Sequence, residues 1–94
     1  MNNILLINRL DPKDNTSIKK KMFFLLGEMN FSSTETKLKE MLDRIDILKK
    51  EDIIYKYNGV VLDITTQQIP YIVKVLIDEK FSIYSIYELY TPDL

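Results

Sequence analysis

The side chains that could do chemistry in this chain are carboxylates, lysines and tyrosines, because its 94 residues include neither cysteine nor histidine. Without cysteine there are no disulfides, thiolate nucleophiles or iron–sulfur ligands, and without histidine the commonest general base and metal ligand is missing. No two carboxylates have the spacing of an acid–base pair, and no glycine-rich segment could hold a phosphate. We therefore predict that the protein is not an enzyme and that it binds no cofactor and no metal ion.

Three groups of charged residues could be interpreted as binding sites, but each has a simpler explanation. Lys19–Lys21 could contact phosphate, yet consecutive helical residues point in different directions, so a solvated helix turn is the preferred interpretation. Asp11–Asn15 lacks the alternating ligands and the closing glutamate of a calcium loop, and its residue types are typical of a turn. Asp63 is expected to face solvent or to pair with Lys56.

Tyrosines are concentrated in the second half of the chain, and four of them are predicted to contact another protein. Tyrosine provides a large contact area at a small entropy cost and is enriched at interfaces. The predicted interface residues are Tyr71, Tyr84, Tyr87 and Tyr90, whereas Tyr55 and Tyr57 are expected to be ordinary strand residues. Base stacking is not favoured, because the last tyrosine-rich run has Glu88 as its only charged side chain.

A β-hairpin has the strongest local signal of any element. Asn58-Gly59 separates two apolar runs, Ile53–Tyr57 and Val60–Ile64, and this pair favours a type I′ turn because both residues then have positive φ. The two-residue loop predicts that Tyr57 faces Val60 and that one face of the hairpin belongs to the core.

Two elements are predicted before residue 31. The continuous apolar run Ile4–Ile7 predicts a central strand over Asn3–Arg9. Residues 17–29 have apolar side chains at helical spacing, which predicts a helix. A short strand over Met22–Leu26 is the alternative interpretation of the same residues.

A second helix is predicted to begin at Ser32, because Ser32 and Glu35 have the spacing of a capping box. Two ion pairs at i,i+4 spacing, Glu35 with Lys39 and Glu40 with Arg44, would stabilise its solvent side. Its buried side is expected to consist of Leu38, Met41, Leu42, Ile45 and Leu48.

The last two predicted elements are a helix and a strand. The helix begins near Ile69, with Pro70 in its first turn, and ends near Glu79. The final run, Ser82–Tyr90, is rich in β-prone residues. Its alternation breaks between Ile83 and Ile86, which predicts a bulge or a strand that is covered on both faces.

These elements predict one α+β domain over residues 1–94. We expect a ferredoxin-like βαββαβ-type sandwich with a four-stranded, mainly antiparallel sheet and two or three helices on one face. The net charge is −1, and neither half of the chain has the dense basic face of a nucleic-acid-binding protein. No apolar run has the roughly 18–20 residues of a membrane span, so no membrane insertion is expected. The absence of cysteine fits a reducing environment, and a cytoplasmic location is expected.

The C-terminal third of the chain also resembles a known domain. Ile69-Pro70, the helix that follows and the segment Leu76–Ile86 are similar to the C-terminal accessory domain of bacterial ABC-transporter ATP-binding subunits of the bacitracin and antimicrobial-peptide resistance type. Lys80 stands where that family usually has a C-capping glycine, and no Walker A, signature or Walker B motif occurs. The resemblance implies an α+β sandwich with a regulatory or subunit-contact role, and no ATPase core.

The predicted function is therefore a non-catalytic regulatory or oligomerisation domain. Its partner would be a second copy of the chain, giving a homodimer, or a transporter protein. Two alternatives remain open: a stand-alone inhibitor or adaptor from a mobile element that binds a host protein, and a small-metabolite sensor.

Overall fold

A four-stranded antiparallel sheet organises residues 10–89, which are the residues that this computed structural model describes. The elements are β1 (Lys20–Leu26), α1 (Ser32–Asp43), a 3-10 turn (Lys50–Asp52), β2 (Ile53–Lys56), β3 (Gly59–Ile64), α2 (Gln68–Asp78) and β4 (Ile83–Glu88). The strand order is β2-β3-β1-β4. This is an α+β fold of the ferredoxin-like sandwich type, so the predicted fold class is confirmed.

The predicted helix over residues 17–29 is wrong, and the alternative strand interpretation is right. β1 pairs with β3 on one side and with β4 on the other, so it is a central strand. Met22 and Phe24 point into the core, while Phe23 between them is also buried. A strand with apolar residues on both faces has no strict alternation, and its spacing can therefore imitate that of a helix. The predicted strand over Asn3–Arg9 lies outside the described residues.

The start and the end of α1 differ from the prediction. The N-cap is Phe31 rather than Ser32, so the predicted capping box is absent and no side chain caps the helix. The predicted ion pair of Glu35 with Lys39 is present at 2.9 Å. The helix ends at Asp43, and Arg44 then reaches Glu79 at 3.0 Å rather than pairing with Glu40. The predicted buried residues are all buried, although the last two lie beyond the helix: Leu38, Met41, Leu42, Ile45 and Leu48.

The hairpin is present with a register displaced by two residues from the prediction. Tyr55 pairs with Val60, and the loop consists of Tyr57 and Asn58, so Tyr57 is an exposed loop residue (88%) rather than a strand residue. A shift of two keeps each side chain on its predicted face. Gly59 does not have positive φ. Glycine is needed at this position because there is no room for a side chain: a Cβ would lie 2.0 Å from the carbonyl oxygen of Phe24.

The C-terminal elements follow the prediction closely. α2 contains Pro70 in its first turn and buries Ile72 and Leu76. In β4 the register against β1 shifts between Leu25 and Leu26, which leaves Tyr84 without a partner in β1. This irregularity is the predicted bulge. No helix within residues 10–89 is long and apolar enough to cross a membrane.

Candidate functional site

The two faces of the sheet have different neighbours. The core that contains the buried residues of α1 and α2 also contains Met22, Phe24, Val60 and Leu62. Because side chains alternate along a strand, the residues between these point to the opposite side, which we call the helix-free face. It comprises Lys21, Phe23 and Leu25 of β1, Ile54 and Lys56 of β2, Val61 and Asp63 of β3, and Ser85 and Tyr87 of β4. The bulge adds Tyr84 to the same face.

An apolar row crosses the helix-free face through all four strands. Ile54 pairs with Val61, Val61 pairs with Phe23, and Phe23 pairs with Tyr87. The Phe23 and Tyr87 rings are 5.3 Å apart at a tilt of 48°, within the range of favourable aromatic pairs. The middle of the row is buried, while Ile54 and Tyr87 on the edge strands are 44% and 49% exposed. The row thus has a packed centre and apolar ends that another molecule could contact.

Tyr84 extends this apolar surface at the bulge of β4. Its ring lies over Gly27, where an added Cβ would be only 2.8 Å from the ring atom Cε2. The side chain is 73% exposed. The bulge therefore places a second exposed tyrosine near Tyr87, and the glycine leaves room for its ring.

The structure brings together two of the four predicted interface residues. Tyr84 and Tyr87 both lie on β4, whereas Tyr71 lies on α2, where it is 48% exposed. Tyr90 falls outside the described residues. The interface prediction for all four residues remains a prediction, and the geometry now separates Tyr71 from the pair on β4.

Sequence reasoning did not find Ile54, Val61 and Phe23 as members of the same surface. The pairing of Ile54 with Val61 depends on the hairpin register, which was predicted two residues away. Phe23 was assigned to a helix. If Met22–Leu26 is treated as a strand, Phe23 falls on the face opposite to Met22 and Phe24, and this signal could have identified it.

The lysine run Lys19–Lys21 lies at the start of β1 rather than in a helix turn, and its members have different neighbours. The Lys19 ammonium lies 3.1 Å from Asp52, and the Lys20 ammonium lies 2.9 Å from Asp14. Lys21 is exposed opposite Asp63 in the sheet. Two of the three lysines thus form structural ion pairs, so the run does not form a joint phosphate-binding patch.

Asp14 holds the segment before β1 against the start of α2. It accepts hydrogen bonds from the Thr16 backbone N–H at 2.9 Å and from the Thr66 hydroxyl at 3.2 Å. The Gln67 amide donates to the carbonyl oxygens of Pro12 and Asp14. The Thr16 hydrogen bond, supported by the Lys20 ammonium, lowers the pKa of the Asp14 carboxyl. These are the contacts of a turn, in agreement with the sequence interpretation.

Asp52 has a similar structural role before β2. Its carboxylate accepts a hydrogen bond from the Lys49 backbone N–H at 3.0 Å. It also binds Lys19, and it is one of the few buried polar side chains among the described residues. The Lys49 N–H is the main cause of the lowered pKa of Asp52, and the Lys19 ammonium adds to it. The ion pair ties the start of β1 to the start of β2.

A cleft of about 210 Å³ lies between the loop after β1 and the loop after α2. Its lining residues are Gly27, Glu28, Ser33, Thr34, Lys37, Lys80, Phe81 and Ser82. The Lys37 ammonium is already bound by the Glu79 carbonyl oxygen and lies 5.3 Å from the centre of the Phe81 ring. With one ammonium group engaged and the Glu28 carboxylate among the lining groups, the cleft has no clear preference for a charged ligand.

Comparison of the chain with protein families, curated proteins and solved structures finds no match. The resemblance of the C-terminal third to ABC-transporter accessory domains therefore stays a prediction from sequence. Among the surfaces described above, the helix-free face is the one that combines exposed aromatic side chains with a packed apolar base.

Proposed function

We propose that this chain is a non-catalytic protein-contact domain and that it binds through the helix-free face at β4. The observation that carries the proposal is the row Ile54–Val61–Phe23–Tyr87, extended by Tyr84, on the side of the sheet away from both helices. Aromatic residues on a rigid base are the residues that contribute most at protein interfaces.

The arrangement of the row supports this role. Phe23 and Val61 are held by the sheet and already buried, so a partner would have to order only the outer side chains. Tyr87 is restrained by its contact with the Phe23 ring. A preorganised aromatic side chain loses little conformational entropy on binding, so these positions are suited to act as anchors.

The charges on this face favour a protein over a nucleic acid. Lys21 and Asp63 face each other in the sheet, and Lys56 lies on the same face, so a carboxylate accompanies the two lysines. Nucleic-acid binding through stacked bases would require an excess of basic side chains around the aromatic residues. A regulatory or subunit-contact role fits a surface of this kind.

The test is site-directed photo-crosslinking in the cells from which the protein comes. A photoreactive benzoyl-phenylalanine placed at position 87 is expected to give a discrete crosslinked species on irradiation, because the ring would lie inside the contact. Position 71 is the matched control, since Tyr71 and Tyr87 are 48% and 49% exposed and lie on different elements.

The proposal predicts a crosslink at position 87, a similar crosslink at position 84, and little at position 71. The partner in the crosslinked species would be identified by mass spectrometry. No discrete species at positions 84 and 87, or an equally strong one at position 71, would contradict the assignment of the contact to the helix-free face.

A further inference from the structure

We propose that the partner at this surface is a second copy of the chain, paired antiparallel through β4 so that two sheets become one of eight strands. The inference rests on the proposed function and deepens it by naming the partner and the register. It begins from the position of β4, which pairs with β1 alone in the sheet that residues 10–89 form.

The hydrogen bonds of β1 show which backbone groups of β4 point outward. The Leu89 N–H donates to the Lys21 carbonyl oxygen, and the Leu26 N–H donates to the Asn58 carbonyl oxygen on the side of β3. Backbone groups of successive residues in an antiparallel strand point to opposite sides. In the regular part of β4, Ser85 and Tyr87 therefore bond to β1, while Ile86 and Glu88 direct their N–H and C=O groups away from the sheet.

These outward groups restrict the register of a symmetric pair. In an isologous antiparallel pair the same residues face each other around a twofold axis. Because Tyr84 is the bulge residue, the regular stretch of β4 runs from Ser85 to Glu88. Placing Ile86 opposite Ile86 of the second copy pairs Ser85, Ile86 and Tyr87, whereas placing Ile86 opposite Glu88 pairs Ile86, Tyr87 and Glu88. The two registers pair equally many regular residues, so ladder length does not choose between them.

Charge favours the register centred on Ile86. β4 has one charged residue, Glu88, and in this register the Glu88 carboxylates of the two copies lie at opposite ends of the ladder. Placing Ile86 opposite Glu88 would instead make the two carboxylates diagonal neighbours on one face. A register centred on Glu88 would place two carboxylates directly opposite each other, and like charges in that position are destabilising. The Ile86-centred register brings no like charges together across the new contact.

The two edge strands also differ in their protection against pairing. β2 has four residues and includes Lys56, whereas β4 has six residues with no lysine and no proline. Short length and lysine are common means by which proteins protect a sheet edge. The bulge at Tyr84 limits the free edge of β4 at one end only, and the stretch from Ser85 to Glu88 stays regular.

The paired sheets would join the two apolar rows. Ser85 and Tyr87 lie on the helix-free face, so Tyr87 would stand beside Ser85 of the second copy, with the two Tyr87 rings diagonal to each other and within reach. A ladder of three regular residues is about 10 Å long. The buried area would therefore lie below the roughly 1,200 Å² of stable specific interfaces. The dimer is therefore expected to depend on protein concentration.

The test uses the absence of natural cysteine. Ser85 and Tyr87 of the second copy would form a non-hydrogen-bonded pair with Cα atoms about 4.5 Å apart, which a disulfide can bridge. Mixing the Ser85→Cys and Tyr87→Cys proteins in a glutathione redox buffer is expected to give a heterodimeric disulfide in large excess over the disulfide from either variant alone. Mixing Ser85→Cys with Tyr71→Cys, the matched control on α2, is expected to give only the background level.

Three other experimental outcomes would overturn the inference. A disulfide that forms preferentially from Ser85→Cys alone or from Tyr87→Cys alone would show a different register. A solution mass of a dimer without the mixed disulfide would place the contact elsewhere. A strict monomer would exclude a second copy and leave the edge to a different occupant. None of these results affects the photo-crosslinking test at position 87, so failure of the inference and failure of the proposed function are distinguishable.

Discussion

Replacing Gly59 by alanine is predicted to destabilise the domain far more than the same change at Gly27, the only other glycine. A Cβ at position 59 would lie 2.0 Å from the carbonyl oxygen of Phe24, whereas ordinary contacts begin near 3.4 Å. The atoms must separate by the difference, about 1.4 Å. Because the obstacle is the backbone of the central strand, no side-chain rotation can provide that space.

The loss of stability has two sources, the overpacking at Gly59 and the hydrogen bonds between β1 and β3 that weaken when the strands move apart. Overpacking of a tight site costs about 1–3 kcal/mol. Moving β3 away from β1 also weakens the neighbouring hydrogen bond from the Leu26 N–H to the Asn58 carbonyl oxygen, now 3.0 Å long, which contributes about 1 kcal/mol. We therefore expect Gly59→Ala to lower the free energy of unfolding by roughly 2–4 kcal/mol.

Gly27→Ala is the matched control. The Cβ there would meet the outer part of the exposed Tyr84 ring at 2.8 Å, and that ring can rotate away, so the expected change is within about 1 kcal/mol. Urea unfolding followed by circular dichroism measures both variants. Equal stabilities of Gly59→Ala and Gly27→Ala would refute the close approach of β3 to β1.

Two further predictions concern Asp52 and Lys80. The pKa of Asp52 is lowered in the folded state, so its charge stabilises the fold at neutral pH and that contribution is lost as the pH falls below 3.8, the usual value. Asp52→Asn should lower the free energy of unfolding by about 1 kcal/mol at pH 7. Urea unfolding at a series of acidic pH values should show this difference in stability from the wild type disappearing. A difference in stability that does not change with pH would contradict the prediction. Lys80 has φ of 70°, so Lys80→Gly should raise the free energy of unfolding by about 1 kcal/mol while Lys80→Ala leaves it nearly unchanged; equal thermal midpoints for the two variants would argue against strain at this position.

The parts of the fold that sequence predicted well are those with local signals. The helix with Pro70 in its first turn and the bulge before Ile86 both follow from features within a few residues. The inward side of the hairpin was also predicted, because the period of two survives a register shift of two. These predictions need no knowledge of the rest of the chain.

The parts that were wrong depend on contacts distant in sequence. Gly59 is placed by the backbone of Phe24, 35 positions earlier, and not by the conformational needs of a turn. β1 has apolar residues on both faces, since Met22 and Phe24 belong to the core while Phe23 belongs to the row on the helix-free face. This removed the alternation of apolar and polar residues that would have marked it as a strand. Arg44 reaches Glu79 across the fold instead of its helical neighbour. The row on the helix-free face likewise exists only once all four strands are in register.

Self-association through β4 is tested most directly by the solution mass from light scattering between micromolar and millimolar protein, for the wild type and for the Tyr87→Ser and Tyr71→Ser variants. The wild-type mass is expected to rise from 11.1 kDa toward twice that value. Tyr87→Ser should move the midpoint to a concentration at least ~10-fold higher, and Tyr71→Ser should leave it in place. A wild-type mass of 11.1 kDa at every concentration, or an association that Tyr87→Ser does not weaken, would contradict self-association through β4.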